Sequence, residues 1–200
     1  MKIAILGLGY VGCTAAGCIA SQGHRVLGID VSAGKVETLN SGKSPVYEPG
    51  LDDLIAKARA DGLLEATTEI GDGLDDCDIA IVCVGTPSGV DGAHNMSYIV
   101  QVTRAIAASI KPDRTKPLTV VYRSTMRPGT TEQMILPIFR SLLGEASDRL
   151  IELVYNPEFL REATAIEDYF NPPKIVLGTI DGVPSEKMVA LHEGIEALIF

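Results

Sequence analysis

The strongest chemical signal in the chain is Gly7-Leu8-Gly9-Tyr10-Val11-Gly12, followed further on by Asp30. In a strand–turn–helix unit each of these glycines has its own duty. Gly7 permits the tight turn, Gly9 lets backbone approach a pyrophosphate, and Gly12 lets the helix pack against the strand. A helix starting near Tyr10 and Val11 turns its free N–H groups and positive end toward the phosphates. Asp30 closes a second apolar run, Arg25 to Ile29, near the spacing of about 20 residues expected of a ribose-binding acid. A carboxylate there accepts hydrogen bonds from both ribose hydroxyls and repels a 2′-phosphate. The spacing therefore predicts NAD in preference to NADP.

The same opening residues admit a second reading. One lysine, an apolar run and small residues ending in Ala16-Gly17-Cys18 look like an export signal with a lipid-attachment cysteine. Three glycines interrupt that run, each costing about 1 kcal/mol relative to alanine in a helix. After Cys18 the chain continues to Gly23, a helix stop, and then into the next apolar run rather than into a polar mature terminus. Strand, glycine turn, helix, strand and acid within thirty residues favour a cofactor domain and a cytoplasmic location.

Further chemistry is written at three other places. Cys83-Val84-Gly85-Thr86-Pro87 and Ser124-Thr125-Met126-Arg127-Pro128-Gly129-Thr130 follow apolar runs, so the Thr86 and Thr125 hydroxyls either face the cofactor or cap the next helix. Asn156-Pro157 reads as an N-cap and first helical residue, which puts Glu158 and Glu162 on one helical face, four residues apart. Those carboxylates are acid–base candidates, or complements to the helix dipole. The four cysteines (Cys13, Cys18, Cys77, Cys83) lack the two-residue gap of a redox or zinc motif, and His24, His94 and His192 form no helical ligand pair. Free thiols in a reducing compartment and no metal are expected.

The elements that must position these groups are short and regular. Continuous apolar runs at Lys2–Leu6, Arg25–Ile29, Ile79–Val84, Leu118–Tyr122, Ile151–Tyr155 and Lys174–Leu177, with a weaker one at Leu63–Thr67, read as strands buried on both faces. Helical patterns fill Val11–Gln22, Ala33–Asn40, Leu51–Asp61, Tyr98–Ile110, Thr130–Leu143, Glu158–Tyr169 and Ser185–Phe200. The fold class is α/β: a doubly wound, mostly parallel sheet of the Rossmann type. Residues 1–183 form the NAD-binding domain, and 184–200 begin a helix leading toward a central domain outside this sequence. Ser44-Pro45-Val46-Tyr47-Glu48-Pro49-Gly50 resists the rhythm and reads as a rigid connector or lid. A length of 200 residues suits one such domain, and a net charge of −9 argues against nucleic-acid partners. Without any run of about 18 apolar residues, no membrane span is expected.

Taken together, GLGYVG, Asp30 with Lys35, SPVYEPGL, CVGTP, RSTMRPGTT and NPEFLREATAIEDY resemble the UDP-glucose/GDP-mannose dehydrogenase family in its N-terminal NAD-binding domain. They stand in the family's order over nearly the whole chain. The resemblance implies oxidation of C6 of a nucleotide-linked hexose from alcohol to carboxylate with two NAD, in polysaccharide biosynthesis, by a full-length homodimer. It implies that Tyr10 and Val11 offer backbone to the pyrophosphate, that Asp30 and Lys35 hold the adenosine end, and that Thr86 and Thr125 lie near the nicotinamide. The backbone of Phe159, Leu160 and Arg161 would hold the sugar. Glu162 would stand at the reacting carbon with Thr125 as a hydrogen-bonding neighbour, and Glu158 close by.

The family's thioester cysteine, in a GxGGxC-type motif, and its lysine and asparagine partners have no counterpart here. No glycine-rich turn flanks any of the four cysteines. The chain therefore reads as part of a longer enzyme. Gly42-Lys43-Ser44-Pro45 and Ala163–Tyr169 followed by Pro172-Pro173 look closer to GDP-mannose than to UDP-glucose enzymes. Two rivals are β-hydroxyacid or 6-phosphogluconate dehydrogenases, which lack a PEFLRE-like segment, and a non-catalytic NAD-binding regulatory module.

Overall fold

The computed structural model describes residues 1–87 and 95–200; His94 lies outside them. Its sheet is built from β1 (Lys2–Leu6), β2 (Arg25–Ile29), β3 (Leu64–Thr67), β4 (Ile79–Val82), β5 (Leu118–Tyr122), β6 (Ile151–Tyr155) and β7 (Gly178–Thr179). The spatial order is β3-β2-β1-β4-β5-β6-β7. The first six strands are parallel and β7 runs antiparallel to β6. Strand order reverses between β1 and β4, which makes the crevice beyond their carboxyl ends the expected ligand position.

Side chains alternate across the strands, and both faces are covered. Ile3, Ile5, Ile79, Ile81, Val121 and Val154 point into one core with α1 (Tyr10–Ser21), α3 (Leu51–Ala60) and α8 (Glu186–Leu191). Ala4, Leu6, Ala80, Val82, Val120 and Leu153 point into the other, against α4 (Ser97–Ser109) and α5 (Leu136–Leu143). Burial on both sides explains why the strand segments read as continuous apolar runs. The remaining helices are α2 (Ala33–Asn40), α6 (Ser147–Leu150) and α7 (Ala165–Phe170). Within the core, α1 is closely surrounded: a Cβ on Gly17 would come within 2.7 Å of Leu51 Cδ1. Small residues are what this helix needs, and Cys13 and Cys18 serve there as small apolar side chains, free and buried. Burial pushes both thiols up to about 12, and those of Cys77 and Cys83 up to about 11, so none is a thiolate at neutral pH.

Four expected elements outside the loop that follows β6 differ. β4 ends at Val82, not Val84, because β1 stops at Leu6, opposite Val82, and Gly7 turns away from the sheet. Cys83 accordingly sits at the rim. The single helix expected over Thr130–Leu143 opens with a π turn, Thr131–Ile135, and becomes α-helical only at Leu136. Pro137 has no N–H for the carbonyl four residues back, and the wider turn absorbs the missing bond. Where a strand was expected at Lys174–Leu177, the pairing with β6 falls on Gly178–Thr179. Ile175 and Leu177 instead donate to the carbonyls of Leu198 and Phe200. Finally, α8 covers only Glu186–Leu191 of the helix expected over Ser185–Phe200. Ser185 caps it, Gly194 at φ +86° breaks it, and the last residues run extended alongside Ile175–Leu177.

Candidate active site

The glycine turn is built by close contact. Gly7 has φ +103°, and a Cβ there would lie 2.8 Å from the Cys83 carbonyl oxygen at the end of β4. A Cβ on Gly12 would lie 1.9 Å from the Gly7 carbonyl oxygen. Gly9 differs from both: a Cβ there would meet no atom of the described residues within 4 Å. Open space lies before this residue, and it is the N-cap of α1 with no side-chain cap and no acid in the first turn. The unpaired first-turn N–H groups and the positive helix end thus face an open cradle, which fits a pyrophosphate.

Asp30 lies at the end of β2 and is nearly buried. Its Oδ2 accepts from the Leu8 N–H at 2.7 Å and from Lys35 Nζ at 3.3 Å, and its Oδ1 accepts from the Ser32 N–H at 2.9 Å. The acid and the lysine are thus brought together at the end of β2. The carboxylate has a second task that the spacing did not reveal: it holds the glycine turn itself. Four lone-pair positions serve three donors, so acceptor capacity is left for a ribose hydroxyl.

The two loops beyond β4 and β5 are tied to each other, Ser124 Oγ donating to the Val84 carbonyl at 2.6 Å. Thr86 is half-buried and Thr125 exposed on this rim. Behind them Arg123, buried at the end of β5, donates from Nη2 to Asn156 Oδ1 at 2.5 Å, and Asn156 Nδ2 donates to the Val176 carbonyl at 2.9 Å.

That use of Asn156 corrects the expected helix over Glu158–Tyr169. Its side chain ties β5 to the segment before β7 and caps nothing, and regular helix begins only at Ala165. Within the loop Glu158 Oε2 accepts from the Leu160 N–H at 2.6 Å, a local bond that competes with helix formation. Ala163 has φ +69°, alone among the described non-glycine residues in the left-handed region. Such a conformation persists only where neighbours enforce it. Glu158 and Glu162 therefore do not share a helical face. Glu162 is exposed, with no hydrogen bond to Thr125 in the chain. It stands near enough to the Tyr10 hydroxyl to help raise its pKa; that group is pushed up to about 12, chiefly by desolvation and by its bond to Glu48.

The residues expected to hold a sugar are fixed in place. Arg161 donates to Asp168 from its backbone N–H at 2.8 Å, from Nε at 3.1 Å and from Nη2 at 2.7 Å. Phe159 is part-exposed under Lys174 Nζ, 5.2 Å from the ring centroid. The Leu160 and Arg161 N–H groups are thus already engaged, and the Arg161 carbonyl accepts from the Thr164 N–H at 3.2 Å.

Sequence reasoning missed Glu48. It lies in the Pro45–Pro49 connector, is only 6% exposed, and accepts from three donors: the Tyr10 hydroxyl, the Ala163 N–H at 2.9 Å and the Ala165 N–H at 2.9 Å. An acid held between prolines before a helix is the one local hint. Nothing in the spacing says that it reaches across the fold.

The sequence model of the UDP-glucose/GDP-mannose dehydrogenase family, NAD binding domain, matches residues 1–196. A GDP-mannose 6-dehydrogenase of Pseudomonas putida is 42% identical over 199 residues, covering 100% of this chain and 45% of that protein. A UDP-glucose 6-dehydrogenase of Bacillus subtilis is 39% identical over 181 residues, covering 90% of this chain and 40% of that one. A crystal structure of a GDP-mannose dehydrogenase ternary complex from Pseudomonas aeruginosa superposes with a TM-score of 0.93 at 39% identity, covering 100% of this chain and 46% of the other. The chain thus spans less than half the length of these relatives. The doubly wound fold, the open glycine turn with its acid and this match over nearly every residue place the chain in the UDP-glucose/GDP-mannose dehydrogenase family, as its NAD-binding domain.

Proposed function

We propose that this domain serves a nucleotide-sugar 6-dehydrogenase that oxidises a C6 alcohol to a carboxylate with two NAD, with GDP-mannose as the preferred substrate. One observation carries the catalytic reading. The loop bearing Glu162 is fastened through Glu48 to Tyr10 of the glycine turn, so a carboxylate stands on the cofactor's side of the sheet. Similarity supports the substrate: the Pseudomonas putida GDP-mannose enzyme is 42% identical over 199 residues, and the Bacillus UDP-glucose enzyme 39% over 181. Bound NAD supplies the hydride acceptor. The chain's residues bind and orient: Tyr10 and Val11 by backbone at the pyrophosphate, Asp30 and Lys35 at the adenosine ribose, and Thr86 and Thr125 along the rim. Phe159, Leu160 and Arg161 hold the sugar by backbone, Glu158 braces their turn, and Glu162 handles the proton at C6.

Cofactor choice follows from Asp30. NADH and NAD are expected to bind this chain more tightly than NADPH and NADP, since the 2′-phosphate would meet a nearly buried carboxylate. Asp30→Ala should weaken NAD binding by about 1–3 kcal/mol, the cost of losing hydrogen bonds to a charged group. Titration calorimetry with both cofactors reads this directly, and equal affinities would remove the ribose assignment.

The 200-residue chain alone should not turn over either sugar nucleotide. Burial holds all four thiols protonated, so none provides the nucleophile of a second oxidation. Absorbance at 340 nm should stay flat on mixing pure chain with NAD and GDP-mannose or UDP-glucose. Sustained NADH production, with contaminating enzyme excluded, would show the chain to be self-sufficient.

A further inference from the structure

Among the described residues the Glu162 side chain makes no hydrogen bond or ion pair, and its aim follows the backbone on either side of it. On one side Arg161 is locked onto Asp168 by three hydrogen bonds. On the other, Ala163 is held at φ +69°, where its N–H reaches Glu48 Oε2 at 2.9 Å and lies 3.2 Å from the Tyr10 hydroxyl. Glu48 Oε1 takes the Ala165 N–H at 2.9 Å, fixing the start of α7. The Tyr10 hydroxyl closes the arrangement by donating to Glu48 Oε2.

We infer that Glu48 is a positioning residue for Glu162: its carboxylate forces Ala163 into the left-handed region and so fixes the direction of Glu162 relative to the glycine turn. This rests on the reading of Glu162 as the proton-handling group. The chemistry requires a carboxylate. Three donors converge on two oxygens, and the two backbone partners, the Ala163 and Ala165 N–H groups, offer no acceptor in return. A glutamine keeps one oxygen and turns an N–H₂ group against a donor, so Glu48→Gln preserves size while breaking half of the arrangement. The glycine-turn contacts expected of NAD do not pass through Glu48, so cofactor affinity should be preserved.

The test uses Glu48→Gln, Ala163→Gly and the double variant. In the 200-residue chain, Glu48→Gln should speed amide exchange at Ala163 and Ala165 by about tenfold or more while leaving NAD affinity unchanged. In the complete dehydrogenase it should lower kcat by ~10²-fold, the loss expected when a reacting group is misplaced by about 1 Å. Glycine occupies positive φ without strain, so adding Ala163→Gly should restore much of that kcat. A defect confined to folding would instead lower the folded fraction and leave kcat per folded molecule unchanged, which thermal melts of each variant separate. Unchanged exchange at Ala163 and Ala165, wild-type kcat in Glu48→Gln, or no rescue by Ala163→Gly overturns the inference. A Glu162→Gln enzyme of wild-type rate would instead overturn the functional reading, with the exchange result still deciding whether Glu48 holds the loop.

Discussion

Alanine at Gly12 should cost this domain much of its fold, whereas alanine at Gly9 should cost it only its cofactor. The Gly12 methyl would lie 1.9 Å from the Gly7 carbonyl oxygen, and Gly7 itself packs so closely that a Cβ on it would lie 2.8 Å from the Cys83 carbonyl oxygen, so the obstacle is backbone with nowhere to go. Overpacking commonly costs about 1–3 kcal/mol where side chains can yield. Here the upper end or beyond is expected, against a total stability of about 5–15 kcal/mol. For a chain of this length that lowers the melting temperature by ~6–12 °C. Gly9 lies at φ −83°, where alanine is at ease, and its methyl would meet no atom of the described residues within 4 Å. Gly9→Ala should melt like the parent yet fill the cradle in front of α1 and weaken NAD binding by about tenfold or more, through the lost charge-assisted contacts. Thermal melts and calorimetry on the two variants separate these effects. Parental NAD affinity in Gly9→Ala would mean that the pyrophosphate binds elsewhere.

The second large effect is expected at Glu162 in the complete dehydrogenase. Hydrolysis of the thioester that family resemblance implies requires water to lose a proton as its oxygen attacks the carbonyl and the thiolate leaves. General-base assistance to such a step is worth about 10²–10⁴-fold. Glu162→Gln removes the proposed base and keeps the shape, so the second half-reaction should slow by that range while the first is slowed less. A sugar–enzyme adduct should then accumulate on a cysteine outside this sequence, visible by intact-protein mass spectrometry after mixing with substrate and NAD. Glu162 is exposed in this chain, so the exclusion of water that such a base needs must come from the bound ligands and the remainder of the enzyme. A stalled variant with no added mass would reassign the hydrolytic proton to another group.

The sheet was legible because its strands are buried on both faces. Ile3 and Ile5 pack one way while Ala4 and Leu6 pack the other, and that geometry demands the continuous apolar runs seen in the sequence. The glycine turn and Asp30 were legible for a related reason, since short-range backbone geometry imposes their spacing. The loop from Asn156 to Thr164 was misread because its local signals, an N-cap residue followed by proline, are overruled by distant partners. Arg123 takes the Asn156 oxygen, and Glu48 holds Ala163 in a conformation that no right-handed helix contains. Glu48 escaped notice on the same account. Its partners lie 38, 115 and 117 residues away, and no periodicity spans such distances.

The bond from the Leu8 N–H to Asp30 bears on how cofactor preference could change over a lineage's history. On the ribose role proposed for Asp30, a step toward NADP must remove or neutralise this acid, and that step also releases the turn it holds. An intermediate with Asp30→Gly or Asp30→Ala would pass through a period of weakened binding to both dinucleotides before any new phosphate partner arose. Asp30→Asn keeps one oxygen for Leu8 while dropping the charge, making it the less costly first move. Selection for tight cofactor use would therefore resist change at this position even where discrimination between the two cofactors brings no advantage.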